Sequence, residues 1–328
     1  MANPAVTPAT TPVLDSSRQR ARARRGAQSW TALRRNWQLY AMLVLPVLYI
    51  LVFHYWPMYG VQIAFRNFNV VDGITGSPWV GWANFERFMN AYNFRQIIGN
   101  TLILSAYSLA ASFPFPIVLA LALNYTGRAW FRRTVQLVGY APFFISIVVM
   151  VGMILVLLDP RFGIVNQLLG LVGVGPFDVM GNAAAFRHVY VWSGVWQYVG
   201  FNCIIYLAAL TSVDPTLHEA AIIDGANKLQ RIRDIDLPTI MPVAIVLLIL
   251  ELGAVLSVGF EKVLLLQNPI NLPVSEVIDT YVYRVGLAAE LPQFSYAAAI
   301  GLFQSVIAMI LIVAVNQIAR KSGAASLW

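Results

Sequence analysis

The chain has 328 residues, of which 59% are hydrophobic and 11% charged, with a formal net charge of +7 and a mean hydropathy of +0.67. Soluble globular domains carry about 25% charged residues, so an ordinary soluble enzyme is excluded. A disordered chain, which combines low hydrophobicity with high net charge, is excluded too. The one cysteine, Cys203, lies in an apolar run and rules out a disulfide framework or a cysteine-based zinc site within the chain.

The first 17 residues are rich in Pro, Thr and Ala and are expected to be disordered. Arg18–Arg25 follows as a basic run that attracts anionic headgroups, at about 1 kcal/mol per basic residue near the surface. The next apolar stretch is too long for a signal-peptide core and reads as a retained first span. A spanning helix needs about 20 mostly apolar residues. Five stretches free of Asp, Glu, Lys and Arg are long enough: Arg35 to Arg66, Arg95 to Arg128, Arg133 to Asp159, Arg187 to Asp214 and Glu290 to Arg320. A sixth, Asp236 to Glu261, is interrupted only by Glu251.

These stretches predict an all-α membrane protein with six transmembrane helices over 39–58, 100–124, 135–158, 188–211, 239–259 and 296–318. The expected organisation is a basic tail over 1–37, a first span with its external loop over 38–99, a five-helix core over 100–320 and a tail over 321–328. Pro46, Pro114, Pro116, Pro142 and Pro242 fall inside predicted spans. Each removes a helix hydrogen bond, which a membrane tolerates where neighbours satisfy the freed carbonyl. Both a fixed kink and a moving one satisfy that pattern.

Lys and Arg set the orientation. With the N-terminus inside, 15 of the 22 basic residues fall on inner segments and 7 on outer ones, and the inner loops are the shorter. Both ends are therefore expected in the cytoplasm. The basic excess is a topology signal and not a nucleic-acid footprint.

The segment Asp214 to Pro242 is the longest inner loop between spans. Asp214 is suited to cap a helix that Pro215 opens, with Leu217, Ala220, Ala221 and Asp224 on one face. Gly225 can end it with a positive φ, and a second helical piece over 227–235 leads to Leu237, Pro238 and the fifth span.

Glu219-Ala220-Ala221, Asp224-Gly225-Ala226, Ile235, Leu237 and Pro238 have the spacing of the EAA loop, and the chain resembles permease subunits of binding-protein-dependent ABC importers. Five further stretches resemble the upstream permeases of alginate- and rhamnogalacturonan-type importers. These are Gly81-Trp82-Ala83-Asn84-Phe85, Ala120 to Asn124, Tyr206 to Leu210, Asp279 to Arg284 and the terminal Ser326-Leu327-Trp328. The resemblance implies a type I importer permease in the bacterial inner membrane that carries an oligosaccharide. Its implied partners are a second homologous permease, two ATPase subunits and an extracytoplasmic solute-binding protein. It also implies that Glu219, Ala220, Ala221, Asp224, Gly225, Ile235, Leu237 and Pro238 couple the chain to the ATPases.

None of the three lysines follows a glycine, so no phosphate loop of the G-x-x-x-x-G-K-[ST] kind exists here. No cofactor is expected in this chain; ATP and Mg belong to the partner ATPases. The histidines are scattered, and no catalytic constellation is expected. Glu251 is the one charge deep in a predicted span and either bonds another helix or lines the substrate path. His188, Trp192 and Trp196 share a helix face, and such aromatic faces can stack on sugars. Gln197, Tyr198 and Asn202 could add polar contacts, although an interfacial aromatic belt explains His188 and Trp192 equally. Ser275 to Gly286 is expected to form a short outer helix capped by Ser275. The alternatives are a permease for another small solute, or an ion-coupled secondary transporter.

Overall fold

The computed structural model describes residues 35–321. The expected disordered tail, its arginine run and the terminal Ser326-Leu327-Trp328 lie outside the described residues. Among the described residues the chain is helical, with one isolated antiparallel bridge between Arg66 and Trp79. It divides into two compact units, one ending at Val61 and the other beginning at Gln62.

The first unit holds α1, Trp37–Ile50, with Pro46 inside it. A π turn over Leu51–Tyr55 and a short helical piece, Trp56–Met58, extend it. Leu43, Leu45, Leu48 and Phe53 are exposed. A helix apolar on every side belongs in a membrane.

In the second unit, α2 (Phe94–Ser112) and α3 (Pro114–Asn124) meet at Phe113. Pro114 and Pro116 cannot donate to the carbonyls one turn back, which separates the two pieces. Next come α4 (Ala129–Tyr140), a 3₁₀ turn over Ala141–Phe144 and α5 (Ile147–Leu157). The long α6 (Ala183–Leu210) leads to α7 (Pro215–Ile223), α8 (Lys228–Arg231) and α9 (Leu237–Gly253). After α10 (Phe260–Leu266) and α11 (Ile278–Tyr283), α12 (Phe294–Lys321) completes the described chain.

Among the described residues, five helices are long and apolar enough to cross a membrane: Trp37–Phe65, Phe94–Asn124, Ala183–Leu210, Lys228–Gly253 and Phe294–Lys321. The pair Ala129–Phe144 and Ile147–Leu157 makes six if counted as one span, but it bends by 102°. The single helix expected over 135–158 is therefore broken. Pro142 sits in the 3₁₀ turn, and Ser146 restarts the helix by accepting the Val149 N–H at 3.4 Å. Gln197, 1% exposed, donates to the freed Ile145 carbonyl at 2.9 Å. Its amide nitrogen therefore supports the bend. Phe143 stacks on Phe201 of α6, with ring centroids 3.7 Å apart.

The helix expected over 239–259 stops at Gly253, and Gly259 then adopts φ +70°. Pro242 lies within α9 without ending it. The core centres on α6: Val191 and Val195 pack with Leu104 and Val151, while Cys203 and Tyr206 pack with Ala120 and Ile240. Cys203 is a buried packing residue.

Ser275 does not cap α11. It ends a separate short helix, and its hydroxyl lies 3.0 Å from Asn271 Oδ1. The α11 start is held by Thr280, whose hydroxyl accepts the Val277 N–H at 3.1 Å. Val277 and Tyr281 are buried, Arg284 pairs with Glu276, and Asp279 accepts from Gln304 of α12 at 2.9 Å. The Asp279–Arg284 stretch thus ties α11 to its surroundings.

Candidate functional sites: a docking loop and a polar hollow

The loop begins with local chain chemistry. Asp214 Oδ1 accepts the Thr216 N–H at 2.9 Å, which satisfies one orphan donor at the start of α7. This backbone bond holds the Asp214 carboxyl below its ordinary range. At the other end Gly225 has φ +81°, a conformation open to glycine and costly for branched side chains. The turn is closed by Gly225 N–H to Ile222 O at 3.1 Å and Ala226 N–H to Ala221 O at 2.8 Å. Asn227 and Gln230 then exchange bonds of 2.7 and 2.9 Å, a capping box that opens α8.

A π turn over Ile232–Asp236 joins α8 to α9, so the expected second piece is continuous with the fifth span. Pro238 follows this turn by two residues, as Pro57 follows the π turn Leu51–Tyr55. A widened turn ahead of a proline accommodates its missing donor. Ile235 and Leu237 are half-buried, with Leu237 packed on the Cys203 cluster, while Pro238 is exposed.

On α7, Leu217, Glu219, Ala220, Ile222 and Ile223 are exposed, as is Asp224 just after it, and Ala221 is half-buried. The face presented outward is thus built on Ala220 and Ile223, and Ala221 turns partly inward. Ile223 is 86% exposed. Beneath the helix lies Asp236, which is fully buried. Tyr125 donates its hydroxyl to Asp236 Oδ2 at 2.7 Å, and His218 Nε2 lies 3.2 Å from Oδ1. Burial, reinforced by the bond to Asp236, pushes the Tyr125 hydroxyl up to about 12.

The second site is a set of adjoining hollows of about 280, 190 and 70 Å³, all bordered by Ser112 and Glu251. From α6, Tyr190, Gly194, Tyr198 and Asn202 line the largest at steps of four residues. Ser108 of α2 borders two of the hollows, and its hydroxyl is buried without a protein partner. Lys262 of α10 completes the wall.

Tyr198, Asn202 and Glu251 thus converge, whereas Trp192 and Trp196 stand outside these walls. Trp192, 46% exposed, donates its indole N–H to the Tyr107 hydroxyl at 3.0 Å and meets the Phe115 ring edge-on. The same hydroxyl lies 2.8 Å from His188 Nδ1. The aromatic face is therefore knitted to α2. Trp196 is exposed on the same side of α6.

Residues 112–322 match the family described as binding-protein-dependent transport system inner membrane component. The chain belongs to this permease family. It is 43% identical over 285 residues to the polygalacturonan/rhamnogalacturonan transport system permease protein YteP of Bacillus subtilis (strain 168), covering 87% of this chain and 88% of the relative. Protein LplB of the same organism is 39% identical over 294 residues, covering 89% and 92%. A crystal structure of a bacterial ABC transporter involved in the import of the acidic polysaccharide alginate matches with a TM-score of 0.83 at 38% identity, over 90% of this chain and 99% of that one. The bacterial alginate ABC transporter in complex with an alginate pentasaccharide-bound periplasmic protein matches with a TM-score of 0.84 at 37% identity, over 91% and 99%.

Two features of this permease escaped sequence reasoning. Lys262 reads in the sequence as one of the basic residues of an outer loop, yet it is 6% exposed and faces the hollow that Glu251 borders. Asp236 reads as the edge of a charge-free stretch. A carboxylate two residues before a span proline was the available signal, but its partners lie 111 and 18 positions away in the chain.

Proposed function

We propose that this permease is the membrane-spanning subunit of an ATP-driven importer that receives an oligosaccharide from an extracytoplasmic solute-binding protein. It works beside a second, homologous permease and two ATPase subunits, with both chain ends in the cytoplasm. ATP and Mg are bound by the ATPases, and this chain contributes motion and a path. The observation that carries the reading is α7: a nine-residue helix between two spans, capped at both ends, presenting Leu217, Ala220, Ile222 and Ile223 outward. Small and apolar residues on a short rigid helix suit insertion into a cleft of another protein.

The hollow supports the substrate class. Ser108, Ser112, Tyr198 and Asn202 supply hydroxyl and amide groups that can bond sugar hydroxyls, and the buried Ser108 hydroxyl has no protein acceptor or donor. The names of the similar permeases and transporters point to the same class. The deciding experiment is reconstitution of the two permeases and the ATPases in vesicles. ATP hydrolysis stimulated by sugar-loaded binding protein, with sugar uptake, is the expected result. Uptake that follows an ion gradient and proceeds without ATPase subunits would overturn the reading.

A further inference from the structure

The chain connections of α7 do not by themselves explain how a push on it would reach the spans. It is nine residues long and enters from Asp214 and leaves through Gly225, a glycine around which a Cβ would meet nothing within 4 Å. A helix held only at such ends would rock. Four side chains from four elements meet behind it instead. His218 comes from α7, Tyr125 from the residue that ends α3, Arg231 from α8 and Asp236 from the turn that opens α9.

We propose that Asp236 is a positioning residue that bolts α7 to α3 and α9, so that displacement of α7 by an ATPase moves both spans together. This rests on the reading of α7 as the docking helix. The carboxylate is the hub. It takes the Tyr125 hydroxyl at 2.7 Å on one oxygen and faces His218 Nε2 at 3.2 Å on the other. The Tyr125 ring stands edge-on to His218, with centroids 6.3 Å apart, and the Arg231 guanidinium carbon lies 5.5 Å from its centroid. Tyr125 is itself anchored to α3 by its N–H to Leu121 O at 3.1 Å.

Burial makes this hub stiff. A fully desolvated carboxylate is strongly disfavoured once a partner leaves, so Tyr125 and His218 cannot separate from Asp236 cheaply. The bolt therefore holds while α7 moves, and the movement passes to α3 and α9. Both helices also contribute to the cluster in which Ala120, Ile240 and Ala244 pack with Cys203 of α6. Neither Asp236 nor Tyr125 is on the exposed face of α7, so their role is separable from docking.

The test uses the complete reconstituted complex and reads two quantities: sugar imported per ATP hydrolysed, and capture of the ATPase subunit in a pull-down. Tyr125→Phe removes one oxygen and keeps the ring. His218→Leu removes the nitrogen from a half-buried position that tolerates a leucine. Both are expected to lower sugar per ATP by roughly 3-fold or more with ATPase capture unchanged. His218→Gln, which keeps an N–H donor, should restore most of the ratio. An unchanged ratio in both Tyr125→Phe and His218→Leu would overturn the bolt, and so would reduced ATPase capture in either. Ala220→Trp separates the two readings. If it captures ATPase normally, the docking reading fails. If it loses capture while Tyr125→Phe and His218→Leu both keep the native ratio, the bolt alone fails.

Discussion

Lys262 donates its ammonium to the Tyr190 carbonyl at 2.7 Å and lies 4.6 Å from the centroid of the same residue's ring. The two residues are 72 positions apart in the chain. The approach depends on Gly194, one turn further along α6, where a Cβ would sit 3.1 Å from the ammonium nitrogen. Tyr190 in turn donates its hydroxyl to the Val258 carbonyl, so the chain is fastened to α6 at both Val258 and Lys262. The consequence is a basic and an acidic side chain, Lys262 and Glu251, on the walls of one hollow.

That placement makes both residues testable parts of the sugar path. Lys262→Met keeps the stem and removes the charge, and Glu251→Gln keeps the shape and removes the charge. Each is expected to change the apparent affinity of vesicle uptake for sugar by about tenfold, equivalent to about 1.4 kcal/mol, with complex assembly intact. Glu251→Leu separates a path role from a bond between helices: a drop in assembly or thermal stability at native sugar affinity would assign Glu251 to structure. Native uptake and native stability in all three variants would remove both residues from the path.

The helix that leads into the bend near Ser146 lies on α6 through a backbone contact. Gly200 of α6 meets Gly139 of α4 so closely that a Cβ on Gly200 would overlap the Gly139 carbonyl. Gly200→Ala is expected to destabilise the permease by about 1–3 kcal/mol, the range for overpacking, read as a lower thermal midpoint in detergent. Gly152 of α5 has open space within 4 Å of where a Cβ would sit. Gly152→Ala should be neutral or gain up to about 1 kcal/mol from helix propensity. Equal midpoints for the two variants would show that the close Gly139–Gly200 approach does not limit stability.

For docking, Gly225→Val places a β-branched residue at φ +81°, where such side chains are strongly disfavoured. It should leave the permease inserted and paired while abolishing ATPase capture or substrate-stimulated hydrolysis. Ala220→Trp should do the same by overfilling the outward face. Ala221→Trp should act more through local packing, because Ala221 is half-buried. Glu219→Lys, which reverses an exposed charge in the middle of α7, should weaken capture mildly. Normal stimulated hydrolysis in both Gly225→Val and Ala220→Trp would take the transmission away from α7.

Orientation has a direct readout. Reporters fused after Arg133 and Lys228 are expected to read cytoplasmic, and those near Asp72, Asp178 and Glu276 external. An external Lys228 would end both the six-span arrangement and the docking role of the loop.

The legible part of this permease was local. Apolar length marked the spans because hydropathy is a property of consecutive residues. The loop was readable for the same reason: Asp214 bonds an N–H two residues on, and Gly225 ends a helix through its own φ. Span breaks were not readable. Pro142 and Pro242 look alike in the sequence, yet one lies at a 102° bend and the other inside an unbroken α9. At the bend a distant neighbour takes part, because Gln197 of α6 donates to the Ile145 carbonyl. The candidate site divides in the same way. Tyr198, Asn202 and Glu251 could be named from type and depth, but Trp192 was tied to Tyr107 only when α2 met α6. Lys262 and Asp236 carry charge that their own segments cannot satisfy, and their partners come from helices 72 and 111 residues away. Backbone capping and hydropathy act within a few residues and belong to the sequence; the satisfaction of buried charge acts across space, and only the tertiary structure decided it.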